Sequence, residues 1–252
     1  LHNNEYQAVL DWLTPTDYSP KQNDAIRRRH KGTVDWLLGS REFNEWITSN
    51  NSTLFCPGKP GAGKTTATSL VIDFLSKELE NPSSIGIAYV YFNFRERQQQ
   101  QLEDLLLSMI KQLVRPDALG GIKTFYQSHM RKKTRPTVDE ILDVVTRVVA
   151  RFSRAFLVVD ALDECHTASR FLSVLFELQV RSGASVFATS RFIPEIMTLF
   201  SGCPSIEIRA TDADIAKYIA ENIAHELRPI VLEEPDMPRD IITGIVSASD
   251  GM

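Results

Sequence analysis

Gly58-Lys59-Pro60-Gly61-Ala62-Gly63-Lys64-Thr65 sets three glycines around a lysine and a hydroxyl. Such a segment can wrap a phosphate group. Successive backbone N–H groups must turn inward to meet the anion, side chains would block that approach, and glycine supplies the unusual dihedrals the turn requires. A following helix would aim its positive end at the same charge. Lys64 is then expected to reach the β- and γ-phosphates, Thr65 to place its hydroxyl on Mg²⁺, and Thr66 to touch the α-phosphate. The segment satisfies G-x-x-x-x-G-K-[ST] in full, which average composition produces by chance on the order of one time in a hundred for a chain of this size. An apolar run before it and a helical pattern after it sharpen the reading.

A second constellation lies about a hundred residues on. Phe156-Leu157-Val158-Val159-Asp160 is an apolar run closed by an acid. That places a carboxylate at the carboxyl end of a buried strand, where open α/β sheets hold ligands. Asp160 is therefore the candidate partner of Thr65 for Mg²⁺. Asp163 and Glu164 follow, and a carboxylate there could orient and deprotonate an attacking water. Acids at a helix start also simply complement the helix dipole, and that reading stays open. Asp163-Glu164-Cys165-His166 spells a helicase box, but here the strand already ends at Asp160. Thr189-Ser190-Arg191 sits at the tip of a further strand, so Arg191 could stabilise charge on a transferring phosphate. A loop-capping arginine is the plainer alternative.

The elements needed to hold these groups alternate along the chain. Short apolar strands at 53–56, 85–92, 154–160, 185–190 and 205–208 are separated by helical patterns. That alternation implies a parallel sheet covered on both faces. Helices are predicted over 64–80, 101–114, 121–132, 137–151, 167–181, 194–200, 212–226 and 238–249. The first 50 residues read as a helical lead-in, with patterns at 5–13 and again through VDWLLGSREFNEWI.

Bulk properties exclude other classes. The chain has 252 residues, 43% hydrophobic and 24% charged, with a net charge of −4. Those are globular proportions with no general basic surface, so no nucleic-acid partner is expected. No apolar run approaches a membrane span, so no membrane partner is expected either. Cys56, Cys165 and Cys203 lack metal-site spacing and read as reduced thiols, which points to the cytoplasm. Neither a guanine-reading N-K-x-D nor a dinucleotide G-x-G-x-x-G occurs.

Taken together, GKPGAGKTT, FLVVDALDEC and FATSR resemble a NACHT domain, of the STAND class of AAA+-related P-loop NTPases. The upstream LDWLTPTDYSPKQNDAIRRRHKGTVDWLLGSREFNEWI is similar to the lead-in of fungal NACHT proteins with a nephrocystin-like N-terminal region. The resemblance implies an α/β fold with a five-stranded parallel sheet flanked by helices. It implies a lead-in over 1–50, a P-loop core over 51–210, and the start of a helical domain over 211–252. The loop residues Gly58, Lys59, Pro60, Gly61, Ala62, Gly63, Lys64, Thr65 and Thr66 would bind the nucleotide, ATP or ADP with GTP as the alternative. Arg29, Gly32 and Thr33 would line the adenine side. Thr65 and Asp160 would hold Mg²⁺, and Asp163, Glu164 and Arg191 would be catalytic. The implied activity is a nucleotide switch with slow hydrolysis that controls self-association through the longer protein. A non-hydrolysing, nucleotide-stabilised scaffold is the alternative.

Overall fold

The computed structural model describes residues 2–77, 79, 84–96, 100–116 and 119–226, together with 243 and 245. Three helices precede the sheet: α1 (His2–Leu13), α2 (Ser19–Arg28) and α3 (Arg41–Thr48). Strand β1 (Thr53–Pro57) feeds α4 (Lys64–Lys77), and β2 (Ile85–Tyr91) is followed by α5 (Leu102–Leu113), α6 (Leu119–Lys132) and α7 (Val138–Val149). Then come β3 (Arg154–Asp160), α8 (Ala168–Ser182), β4 (Ser185–Ser190), α9 (Pro194–Leu199) and α10 (Asp212–Glu226).

The strands form one parallel sheet in the order β1-β4-β3-β2. Ala155 to Asp160 in β3 and every residue of β4 are buried. Successive strand side chains point to opposite faces, so unbroken burial means both faces are covered. Helix α4 lies against β2, β3 and β4, and α5 lies against β2. The register pairs Pro57 with Ser190 and Tyr91 with Asp160. In a parallel sheet that brings the carboxyl ends of all four strands to one edge, and the loops carrying the chemistry share it.

Among the described residues the sheet has four strands, not the five expected. The segment 205–208 does run beside β1: Ile206 N donates to Phe55 O (3.0 Å) and Ile208 N to Pro57 O (2.7 Å). Only the Phe55–Ser205 pair forms a bridge, however. The segment meets the chain where β1 turns into the glycine loop. Its contact there is close: a Cβ on Gly58 would lie 2.4 Å from Ile208 O. Gly58→Ala is therefore expected to cost about 1–3 kcal/mol, the usual cost of overpacking. Thermal unfolding checks this, and an unchanged midpoint would show that the segment does not press on Gly58.

The lead-in differs in two places from the sequence expectation. A helix, α2, occupies Ser19–Arg28, where the sequence suggests a loop and a basic segment. Pro20 stands in its first turn, where a missing N–H costs nothing. The second predicted stretch is also interrupted. Asp35–Leu37 is a single 3₁₀ turn, and Ser40 then caps α3 by accepting from Phe43 N (3.2 Å). Helix α3 is tied to the core. The Trp46 indole donates to Val186 O (2.9 Å), and its ring packs on Phe156 and Phe187. The predicted helix at 238–249 lies outside the described residues, apart from two helical positions, 243 and 245.

Candidate functional site

The glycine loop leaves β1 and enters α4 at Lys64. Gly61 and Gly63 take φ of +79° and +90°, and a Cβ on Gly61 would meet nothing within 4 Å, so the loop is an open cradle. The first amides of α4 have no intrahelical acceptor and face the space beyond the loop. The Lys64 ammonium lies across that cradle, donating to Gly58 O (2.9 Å) and Lys59 O (2.8 Å). Burial pulls its pKa below the ordinary lysine value, the carboxylates of Asp163 and Asp160 oppose that shift, and Arg191 adds to it.

Asp160 is 1% exposed. Its Oδ2 accepts from Thr65 Oγ1 (2.7 Å), and its Oδ1 accepts from Thr68 Oγ1 (2.9 Å) and Thr189 Oγ1 (2.8 Å). Three hydroxyls from two elements thus satisfy a buried carboxylate that would otherwise be costly. Thr189 Oγ1 also accepts from Ala161 N (3.0 Å). Ala161 is held at φ +57°, a left-handed turn that swings the following 3₁₀ turn, Leu162–Glu164, out over the cradle.

That turn carries two acids with different surroundings. Asp163, with a side chain 6% exposed, binds Arg191 twice: Oδ2 pairs with Nε (3.0 Å), and Oδ1 accepts from the backbone N–H (2.9 Å). Glu164 Oε2 accepts from Phe94 N (3.0 Å), just past the end of β2. A cavity of about 310 Å³ joins these groups. It is lined by Pro60, Gly61 and Gly63 to Thr66 of the loop together with Ala161, Asp163, Glu164 and Arg191.

A second cavity of about 540 Å³ shares Gly61, Gly63 and Thr66 with the first. One wall comes from the lead-in, with Arg29, Thr33 and Val34; the other comes from the start of α10, with Asp214, Ile215 and Tyr218. Together the two cavities have the size usual for small-molecule sites. Arg29 donates from Nε to Thr33 O (3.1 Å) and pairs with Asp35 through its guanidinium. Gly32 is not part of the lining; its carbonyl accepts from Lys217 Nζ (3.1 Å). Lys59 likewise contributes a carbonyl to Lys64 and lines neither cavity.

The structure thus brings together the loop, Asp160, Asp163, Glu164 and Arg191. Thr68 and Thr189 were missed as partners of Asp160. Thr68 was legible, because it stands three residues after Thr65 and so shares its helix face. Asp214 and Tyr218 were missed too, and no local signal marks them. Among the described residues no cluster of three or more His, Cys, Asp or Glu could hold a metal. A hard cation needs oxygen donors, and magnesium uses one or two carboxylates alongside phosphate oxygens and water. The Thr65 hydroxyl and Asp160 carboxylate, 2.7 Å apart, fit that requirement.

The family described as nephrocystin 3, N-terminal, matches residues 32–191, well over half of the chain. The chain belongs to that family. The nephrocystin 3 N-terminal match contains the whole lining of the smaller cavity and stops short of α10. No curated protein matches the chain.

Among solved structures, one described as a DNA replication initiation factor is similar at 16% identity and TM-score 0.47, covering 87% of this chain and 63% of its own. The replication initiator DnaA bound to AMPPCP and single-stranded DNA is similar at 14% identity and TM-score 0.46, covering 94% of this chain and 67% of its own. The Aeropyrum pernix ORC1 protein in complex with DNA is similar at 14% and 0.44, covering 85% and 59%. This chain spans less than two thirds of the first of these, and their activities and partners remain theirs. Two of these descriptions name DNA, which conflicts with the expectation of no nucleic-acid partner, and that expectation is withdrawn; the DNA is said of those proteins alone. Among the described residues, no helix is long and apolar enough to cross a membrane.

Proposed function

We propose that this chain binds a nucleoside triphosphate with Mg²⁺, hydrolyses it slowly, and serves as the nucleotide module of a NACHT-type switch of the STAND class. The observation that carries the reading is the Thr65–Asp160 contact at 2.7 Å, which joins two motifs 95 residues apart beside the Lys64 ammonium. The triphosphate lies in the smaller cavity, on the loop amides, with Lys64 on its β- and γ-oxygens. The base and sugar extend into the larger cavity, past Thr66. Thr65 and Asp160 would hold Mg²⁺, which when bound would supply positive charge to the triphosphate. Thr68 and Thr189 keep the Asp160 carboxylate turned towards Thr65.

Water attacks the γ-phosphorus, the bond to the β-bridging oxygen breaks, and diphosphate and inorganic phosphate result. Glu164 orients the water and takes its proton, since it lines the cavity and is aimed by the Phe94 N–H. Arg191 offsets charge on the γ-oxygens, and Asp163 holds Arg191 in place through two contacts. ATP is the proposed nucleotide and GTP the alternative. Self-association through the longer protein is the proposed output.

Calorimetry of the chain with ATP, with and without Mg²⁺, tests binding. Single-turnover hydrolysis over hours tests the chemistry, and binding without product would favour the non-hydrolysing scaffold. Glu164→Gln is expected to leave ATP affinity within about threefold and to slow hydrolysis by about 100-fold or more, the range for a general base. An unchanged rate would remove Glu164 from catalysis.

A further inference from the structure

Helix α10 is locked to the lead-in through one carboxylate. Thr211 and Asp214 cap the helix reciprocally: Asp214 N donates to Thr211 Oγ1 (3.1 Å), and Thr211 N and Oγ1 donate to Asp214 Oδ2 (3.2 and 2.9 Å). That arrangement fixes the carboxylate and leaves Oδ1 facing away from the cap. Across 180 residues of sequence, Oδ1 accepts from Val34 N (3.0 Å) in a buried contact, with Asp214 only 8% exposed.

Val34 needs such a partner. It is β-branched, yet it sits at φ +63°, ψ +6°, a left-handed backbone that such residues rarely adopt without external support. In that conformation its Cγ2 lies 3.8 Å from where a Cβ on Gly63 would stand, so the turn abuts the phosphate loop. Two further contacts close the same seam: Lys217 on Gly32 O (3.1 Å), and the ring of His30 edge-on to Tyr218 at 4.8 Å.

We propose that Asp214 is a positioning residue for the base end of the nucleotide, holding Val34 in its left-handed turn and so setting the wall between the larger cavity and the phosphate loop. The proposal rests on the nucleotide reading above and adds a residue beyond the nephrocystin 3 N-terminal match. It separates the two ends of the ligand. Inorganic triphosphate fills only the smaller cavity, whose lining lacks Asp214 and Val34, whereas ATP fills both.

The test compares ATP with inorganic triphosphate on the same chain by calorimetry. Asp214→Ala is expected to weaken ATP about tenfold, the usual effect of losing a buried hydrogen bond to a charged group, and triphosphate less than about twofold. Val34→Gly added to that variant is expected to recover about threefold or more for ATP, because glycine adopts positive φ without support. Asp214→Asn has one acceptor for the two N–H groups of Thr211 and Val34, so it is expected to weaken ATP by no more than the alanine variant does and triphosphate by less than about twofold, and it also serves if the alanine variant does not fold. Equal loss of both ligands in either Asp214 variant, or no recovery with Val34→Gly, would overturn the proposal. A wild-type chain that binds neither ligand would instead overturn the nucleotide reading itself.

Discussion

Lys64→Ala is expected to weaken ATP binding by about 100-fold or more while moving the thermal midpoint by less than about 4 °C. The binding effect follows from what the ammonium does at the mouth of the cradle. It now bonds to two loop carbonyls, at Gly58 and Lys59. A triphosphate would replace those neutral acceptors with anionic ones, and each charge-assisted hydrogen bond contributes about 1.5–3 kcal/mol. Two such bonds reach about 100-fold at the low end of that range. The fold is little affected because the side chain is only half-buried and water can satisfy the two carbonyls. Calorimetry and a melting curve on the same preparation separate the two effects. Normal ATP binding by this variant would remove the loop from nucleotide recognition.

Asp160→Asn is expected to abolish the effect of Mg²⁺ on ATP affinity and to slow hydrolysis by about 100-fold or more, since a metal held at the phosphates offsets several kcal/mol of developing charge. Asparagine separates charge from shape. Its oxygen can still accept from Thr68 and Thr189 at the Oδ1 position, and its NH₂ can donate to the Thr65 hydroxyl at the Oδ2 position. The buried network therefore keeps its partners and the chain stays folded. Titrating ATP with and without Mg²⁺ reads the result. In the wild type Mg²⁺ should tighten binding; in the variant the two titrations should coincide. If Mg²⁺ tightened both equally, the metal would not be held by Asp160. The pattern differs from that of Lys64→Ala, which weakens ATP in either condition.

The two acids after β3 show how a shared turn can divide labour. Asp163 and Glu164 are adjacent in sequence. The left-handed backbone at Ala161 sends one carboxylate to Arg191 and the other to the amide past β2. Each is thereby coupled to a different neighbouring strand of the sheet.

How much was legible beforehand follows from the range of the interactions involved. The glycine loop, the acid closing β3 and the tip of β4 were readable because each is a local device. A glycine turn, an apolar run ending in a carboxylate and a polar strand end are written in consecutive residues. The parallel sheet was readable because short apolar strands alternating with amphipathic helices leave few other ways to bury both. Tertiary structure decided the rest. The edge segment at 205–208 has strand-like residues, but whether it joins the sheet depends on how β1 turns into Gly58, and it forms only one bridge. The three hydroxyls on Asp160 come from α4 and β4, and only the β1-β4-β3 order makes them neighbours. Asp214 reads in sequence as an ordinary acid in a first helical turn. Its role against Val34 arises from a hydrogen bond that spans 180 residues, and no local pattern can encode a partner that distant.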